Sequence, residues 1–436
     1  MIVQPVFLVS PVYYPAELSA SVAASLLDHI RRILPAGVTL SEPVHLSDQG
    51  GVDAYLSAGH TGVPLLIALS GATQPWLLSI AKAVPRSFLW WHFPGGGLFD
   101  AAGETLVRTI VSRNALPAVM DCWAHLRNRK VQVERVFDKS SFAEKCGLAS
   151  VMDRIRATRL LIIGYTQSWV VSASVDERRI DDRFGIRSVH IGLEELFSEY
   201  AAVPRSPEVV AFAADYLQAA AACVEPRTQH VEDAYRLYVA VRTLMDRYAC
   251  NAVAISCFSL VKQLHVTSCI ALSLLNDQPN TIAACEGDLD AAVSMIVGKA
   301  VSGLPVFMGN PVYYLDDRLD LVHCTAPRRL TSEAMNYTVR THHETGLSVA
   351  QRIEVGGPRK ATLFRIGNEF SEATLFPAEF VDNPDEDTCR TQFRFRIDCA
   401  QKRIDESLGC HHMVIFSDCV DELRTVFEGP LGLHVR

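Results

Sequence analysis

The hydrophobic period of this chain changes along its length, and that change limits the available folds more than any single residue does. Near the N-terminus, "VFLVSPVYY" is a short apolar run ending in turn chemistry, and "AELSASVAASLLDHIRRIL" follows it with helical spacing. "GVPLLIALSGAT" and "PWLLSIAKAV" repeat the pair. Strands that alternate with helices predict a parallel sheet. A charged stretch, "RNRKVQVERVFDKSS", reads as a linker, after which "TRLLIIGYTQSW" and "SVHIGLEELFSEY" restart the pattern. Two long helical segments come next, and "NAVAISCF" and "TIAACE" read as interior strands of the second sheet. From about residue 330, "ATLFRIG", "CRTQFRFRID" and "HHMVIFSD" alternate apolar with polar residues at period two, which predicts antiparallel strands. The expected organisation is α/β: an N-terminal α/β domain over 1–145, a second α/β domain over 146–325 that carries "CEGD", and a β-rich domain over 326–436.

Bulk properties exclude several functions. A chain of 436 residues with 49% hydrophobic and 21% charged residues can bury more than one core and has the composition of a compact enzyme. A net charge of -8 without a long basic run argues against nucleic acid as the main partner. The longest uncharged stretch, about residues 61 to 81, is interrupted by Gly62, Pro64, Gly71, Gln74 and Pro75, so no membrane span is expected. Twelve cysteines without a CxxC pair, behind an N-terminus with no basic signal region, read as reduced thiols in a cytoplasmic protein.

The segment "AACEGDLDAAVSMIVG", residues 283–298, places Glu286 and Asp288 beside a glycine where a strand gives way to a helix. In an open parallel sheet, side chains just past the carboxyl ends of strands line the ligand crevice. Asp288 or Asp290 could instead cap the helix. Glu286, directly after a buried strand, must find a cation, a metal or solvent. "LVHCTAP" puts His323 at the end of another apolar run, and "GCHHMVIF" puts His411 and His412 at a strand start, where alternation lets only one join a shared site. Singly, each histidine could be a hydrogen-bonded structural residue. Together with the carboxylates they make an oxygen and nitrogen donor set suited to Mn²⁺, Mg²⁺, Co²⁺ or Fe²⁺.

Weaker candidates lie nearer the front. "WWHFPGGG", residues 90–97, offers Trp91 and His92 on a loop that either approaches a polyol or phosphate or forms a turn beneath packed aromatics. "GYTQSW" offers Tyr165, Gln167 and Trp169 for stacking and hydrogen bonding to a sugar, or for packing. Arg113 and Asn114 either reach hydroxyls or open the next helix.

The ordered series running from "ISCFSLVKQLHVTSCIALSLLNDQPNTIAACEGD" through "LVHCTAP", "ATLFRIG" and "CRTQ" to "GCHHMVIFSDCVDELRTVF" resembles the L-fucose isomerase and L-arabinose isomerase superfamily, most clearly over 250–436. The resemblance implies two Rossmann-like, doubly wound parallel-sheet domains followed by a β-barrel-like C-terminal domain. It further implies a cytoplasmic enzyme acting on a small-molecule sugar as a homotrimer or homohexamer, with the site near a subunit interface and a divalent metal, usually Mn²⁺. By that resemblance Asp288 matches the second acidic ligand and His412 the C-terminal one, with His411 its neighbour, Glu286 a ligand or proton shuttle and His323 a substrate-side residue. The family's first acid falls in "SLVKQLHVT", which holds no carboxylate, leaving Gln263 or His265 as replacements. Aldose–ketose isomerisation through an enediolate needs a base, an acid and an electrophile, and the metal supplies the last. Epimerisation or carbon–carbon cleavage through the same enediolate, and sugar binding without catalysis, are the alternatives.

Overall fold

In the computed structural model, residues 1–92, 101–129, 131–174, 176–331 and 333–436 are described, so most of the glycine-rich loop expected after Trp91 and His92 lies outside the described residues. The chain divides into two compact units, Met1–Ser150 and Val151–Arg436.

The first unit is built on a parallel sheet. Its strands β1 (Ile2–Leu8), β2 (Thr39–Leu40), β3 (Val44–Leu46), β4 (Val63–Ala68), β5 (Ser87–Trp90) and β6 (Val133–Val136) run in the order β2-β1-β4-β5-β6, with β3 also on β1. Side-chain alternation divides its interior in two. Val3, Phe7, Leu65, Ile67 and Phe88 pack with the helix Ala16–Ile33, whereas Val6, Leu8, Leu66, Ala68 and Leu89 pack with residues of the helices Gln49–Ala58, Gln74–Ala83 and Ala115–Asn128. Both faces are therefore covered, which is why these strands read as continuous apolar runs.

The second unit joins a parallel sheet to an antiparallel barrel. Strands β7 (Arg159–Ile163), β8 (Arg187–Ile191), β10 (Ala252–Ile255) and β11 (Ile282–Ala284) are parallel in the order β11-β10-β7-β8. A small sheet pairs β9 (Ala222–Cys223) with β14 (Asn336–Arg340) and β15 (Ala350–Glu354). Strands β12 (Phe307–Leu315), β13 (Arg318–His323), β16 (Arg359–Gly367), β17 (Glu372–Asp382), β18 (Thr391–Arg396) and β19 (His412–Ile415) pair in that ring as β16-β19-β12-β13-β18-β17, and the pairing of β16 with β17 closes it. The short β20 (His434–Val435) adds to β17. Inside the closed ring Phe307, Leu363, Phe376, Phe380, Phe393, Phe395, Val414 and Phe416 make one apolar core.

The helix Leu289–Ser302 joins the two layers of this unit. It packs on β10 and β11 and also on β16 and β19. Residues 289–300 are all buried, as expected for a helix apolar around its whole circumference. Gly298 is what lets the barrel come close, because a Cβ there would run into the Phe364 ring and meet Ile415. Ser294 Oγ accepts from the Ile366 amide at 2.9 Å. At the other end Lys299 Nζ donates to the carbonyls of Asn276, Gln278 and Thr281 at 3.1, 2.6 and 2.9 Å. Those bonds satisfy a buried ammonium that burial pushes down to about 8. Among the described residues, no helix is long and apolar enough to cross a membrane.

Candidate functional site

Three parallel strands deliver their following residues to one place. Gly164 follows β7 at φ 84°, Ser256 follows β10, and Cys285 to Asp288 follow β11. Glu286 and Gly287 are both left-handed, at φ 60° and 62°. Glycine adopts that conformation freely, whereas Glu286 carries a strain of about 1–3 kcal/mol that its surroundings must over-determine. They do so: Gln167 N–H donates to the Glu286 carbonyl at 2.9 Å, Thr166 Oγ1 donates to the Gly287 carbonyl at 2.8 Å, and Gly287 N–H donates to the Ile255 carbonyl at 2.9 Å. A Cβ at Gly287 would lie 2.5 Å from the Tyr165 carbonyl oxygen, so only glycine lets the two segments meet.

The strain aims the Glu286 carboxylate. Its Oε2 accepts from the Trp169 indole at 2.7 Å, and its Oε1 lies 3.5 Å from His411 Nε2 and 3.8 Å from His323 Nε2. One ligand atom from each of Glu286, His323 and His411 lies within 4.8 Å of the other two, and all three residues are buried. Burial works to raise the Glu286 carboxyl, but the nearness of the His323 and His411 imidazoles overcomes it and holds the group well below the usual carboxylate range.

Asp288 holds the arrangement from behind. It is wholly buried and caps the helix Leu289–Ser302, Oδ1 accepting from Ala291 N–H at 2.9 Å. Its Oδ2 accepts from Arg365 Nη1 and Nη2 at 3.2 and 3.3 Å and from His411 Nδ1 at 2.8 Å. Burial opposes ionisation here too, and the Arg365 charge with the His411 bond outweighs it. Arg365 also donates to the His411 carbonyl at 2.8 Å. With Nδ1 committed to Asp288, His411 presents Nε2, a buried nitrogen with no hydrogen-bond partner of its own. Asp290 Oδ1 accepts from the Ser174 amide at 3.2 Å, and burial together with the Asp288 charge pushes Asp290 up to about 6.

A small pocket opens onto Glu286 and His323 and is lined also by Phe258, Asn310, Thr325 and His342. Thr325 N–H donates to His323 Nδ1 at 3.3 Å, and the Thr325 hydroxyl lies 2.8 Å from the same nitrogen, which fixes the ring with Nε2 towards the pocket. Beside it, Trp169 stacks edge-on to Phe258 at 4.9 Å while staying 50% exposed. Tyr165 is exposed as well, its hydroxyl 2.9 Å from Ser259 Oγ, and Gln167 bonds Ser256 Oγ.

Of the residues singled out in the sequence, the structure brings together Glu286, Asp288, His323, His411, Tyr165, Gln167 and Trp169. It does not bring in His412, whose Nδ1 meets the Cys410 carbonyl at 3.1 Å and whose ring burial holds down to about 4. Gln263 and His265 are exposed at the far end of the helix Cys257–Leu264 and do not line the pocket. In the first unit, His92 is buried against the Ala68 carbonyl at 2.6 Å, and Trp91 lies under the Arg135 guanidinium. Arg113 donates to the Tyr13 and Thr109 carbonyls, and Asn114 reaches the Tyr13 hydroxyl at 3.4 Å. Arg365 is the site residue the sequence did not disclose, because in "ATLFRIG" it looks like the polar tooth of a half-exposed strand, yet it is fully buried.

A parallel sheet joined to a closed barrel agrees with the coarse organisation that the resemblance implies. The chain is similar to a sulfoquinovose isomerase of Clostridium sp. (strain MSTE9), with 27% identity over 294 residues, 64% of this chain. The match spans 64% of that relative's length. This similarity agrees with the resemblance to the L-fucose and L-arabinose isomerase superfamily. No protein-family model matches the chain.

Proposed function

We propose that the protein is an aldose–ketose isomerase acting on an open-chain sugar or sugar derivative, with Glu286, His323 and His411 as the ligands of a divalent metal. The observation that carries this reading is the convergence of those three donors on one point, with His411 Nε2 otherwise unpartnered. One carboxylate and two imidazoles suit Mn²⁺, as well as Fe²⁺ or Co²⁺, better than a thiolate-held ion. Such an ion supplies positive charge beside the two substrate oxygens that become negative in an enediolate.

The chain's own residues do the rest. Asp288 fixes the His411 tautomer by accepting Nδ1–H, and Arg365 balances its charge. Trp169 holds one Glu286 oxygen and turns the other inward. Phe258 and Trp169 offer an aromatic wall to the sugar's C–H face. Asp288 is a positioning residue in this reading, and Gln263, His265 and His412 have no part in it. No lysine or arginine appears among the described residues lining the pocket, so this pocket by itself has no cation for a sulfonate, and neutral sugars belong in the substrate panel beside sulfoquinovose.

The two parallel sheets are read as the family's Rossmann-like domains, with the expected boundary at 326 moved forward so that β12 and β13 belong with the barrel. Trimeric or hexameric assembly and a cytoplasmic setting belong to the same reading, which the twelve free thiols support. The test is chelated protein supplied with Mn²⁺ and a panel of aldoses and ketoses in deuterated water. Isomerisation places deuterium beside the carbonyl, and Glu286→Gln lowers kcat/KM by roughly 10²-fold or more. Shortened fragments in place of labelled isomer would make it a cleaving enzyme. Metal-independent sugar binding without exchange would make it a binding protein.

A further inference from the structure

On the other wall of the pocket, residues from three separate segments gather around one point. Cys324 follows β13, His342 and Glu344 lie in the turn after β14, and Cys389 precedes β18. One donor atom each from Cys324, His342 and Glu344 lies within 4.8 Å of the other two. His342 Nε2 is 3.0 Å from Glu344 Oε2, and Cys389 Sγ is 3.1 Å from Glu344 Oε1. The Cys269 and Cys389 side chains pack against Cys324. Cys324 and His342 are 3% and 6% exposed, and His342 Nδ1 is held by Thr345 Oγ1 at 3.0 Å, which aims Nε2 at the cluster.

An imidazole–carboxylate pair accounts for His342 and Glu344 but gives no reason for three sulfurs to meet them. A tetrahedral ion does. Zinc bonds sulfur at about 2.3 Å and nitrogen or carboxylate oxygen at about 2.0–2.2 Å, which puts neighbouring donors about 3.3–3.8 Å apart. The His342–Glu344 and Cys389–Glu344 separations, 3.0 and 3.1 Å, are slightly shorter than that, and the donors of Cys324, His342 and Glu344 all lie within 4.8 Å of one another, close enough to move onto one ion. We propose that Cys324, Cys389, His342 and Glu344 form a second metal centre, a zinc site of sulfur, nitrogen and oxygen ligands, with the Cys269 thiol packed against Cys324 behind it. Each ligating thiol gives its proton to solvent as the ion binds. The centre fastens the turn after β14 and the approach to β18 to the end of β13, beside His323. It differs from the Glu286 group in donor softness, so the two sites select different ions.

Cobalt discriminates between them because only sulfur ligation gives a thiolate-to-cobalt charge-transfer band. Wild-type protein, stripped and titrated with Co²⁺, is expected to show that band with the strong visible absorption of a tetrahedral ion, and protein purified without chelator to hold about one zinc per chain at this site. Cys389→Ser and His342→Gln should each weaken zinc binding at least tenfold and diminish the band, with Mn²⁺ stoichiometry unchanged. Glu286→Gln should retain the band even where isomerase activity is lost, which separates this site from the functional reading. A Co²⁺ spectrum without charge transfer in wild-type protein, zinc content unaffected by both substitutions, or a disulfide within the cluster by non-reducing mass spectrometry would overturn the proposal.

Discussion

Asp288 shows how a single side chain can be indispensable without touching a substrate. A carboxylate fully out of water is stable only when its charge is matched, and here one oxygen serves a helix end while the other serves Arg365 and His411. Asp288→Asn keeps the cap and the shape and removes the charge. It should weaken divalent-metal binding about 10–100-fold, read by titration calorimetry, because the His411 ring loses its orienting acceptor. It should also cost up to about 3 kcal/mol in thermal unfolding, because buried Arg365 is left with only the distant Asp290 carboxylate. Unaltered metal affinity would rule out the orienting role. At this scale the sequence singled out Glu286, Asp288 and His323, which the structure brings together, and expected one member of the histidine pair beside them. By the resemblance it preferred His412, with His411 as its neighbour, whereas His411 is the one that faces Glu286 and Asp288, because the choice depends on where β19 begins, and the structure begins it at His412. The cysteine cluster left no trace in the sequence, since its members are far apart in the chain and share no spacing motif.

Among the elements, the helix Leu289–Ser302 has the most constrained surroundings. Its composition announced burial, with "AAVSMIV" apolar on every side, but nothing local said that a barrel would cover one side and a sheet the other. Period-two alternation in β16 likewise predicted one wet face, whereas seven consecutive residues of that strand are buried because this helix lies against it. Gly298→Val tests the contact. A branched side chain there must displace the Phe364 ring, and overpacking of this kind costs about 1–3 kcal/mol, only slightly offset by the gain in helix propensity. The expected result is a lowered melting temperature with metal ligands intact. An unchanged melting curve would mean that the two layers separate readily.

For the molecule as a whole, acid sensitivity has an identifiable contributor in the first unit. Burial holds His92 down to about 4 from 6.5, against the opposing bond to the Ala68 carbonyl. The folded pKa is the lower one, so unfolding takes up a proton between those values. The stabilisation is therefore complete above pH 6.5 and is lost as pH falls towards 4, amounting to about 3 kcal/mol. Denaturant melts from pH 7 to 4 should show that slope, and His92→Gln should remove it. A slope unchanged in the variant would mean His92 is not buried as a neutral ring. The parallel and antiparallel regions were legible from periodicity, although β16 shows that alternation does not ensure a wet face. The convergence of their ends was not, because it is created by contacts between residues more than a hundred positions apart, such as Trp169 with Glu286 and His411 with Asp288.

A shaft clamped along its whole length between two layers can neither slide nor tilt without emptying both of them. Within the second unit, then, any movement beside the site is left to its outer rim, where the rings of Tyr165 and Trp169 stand half in solvent. Turnover limited by such a rim would respond to solvent viscosity and to the bulk of those two rings.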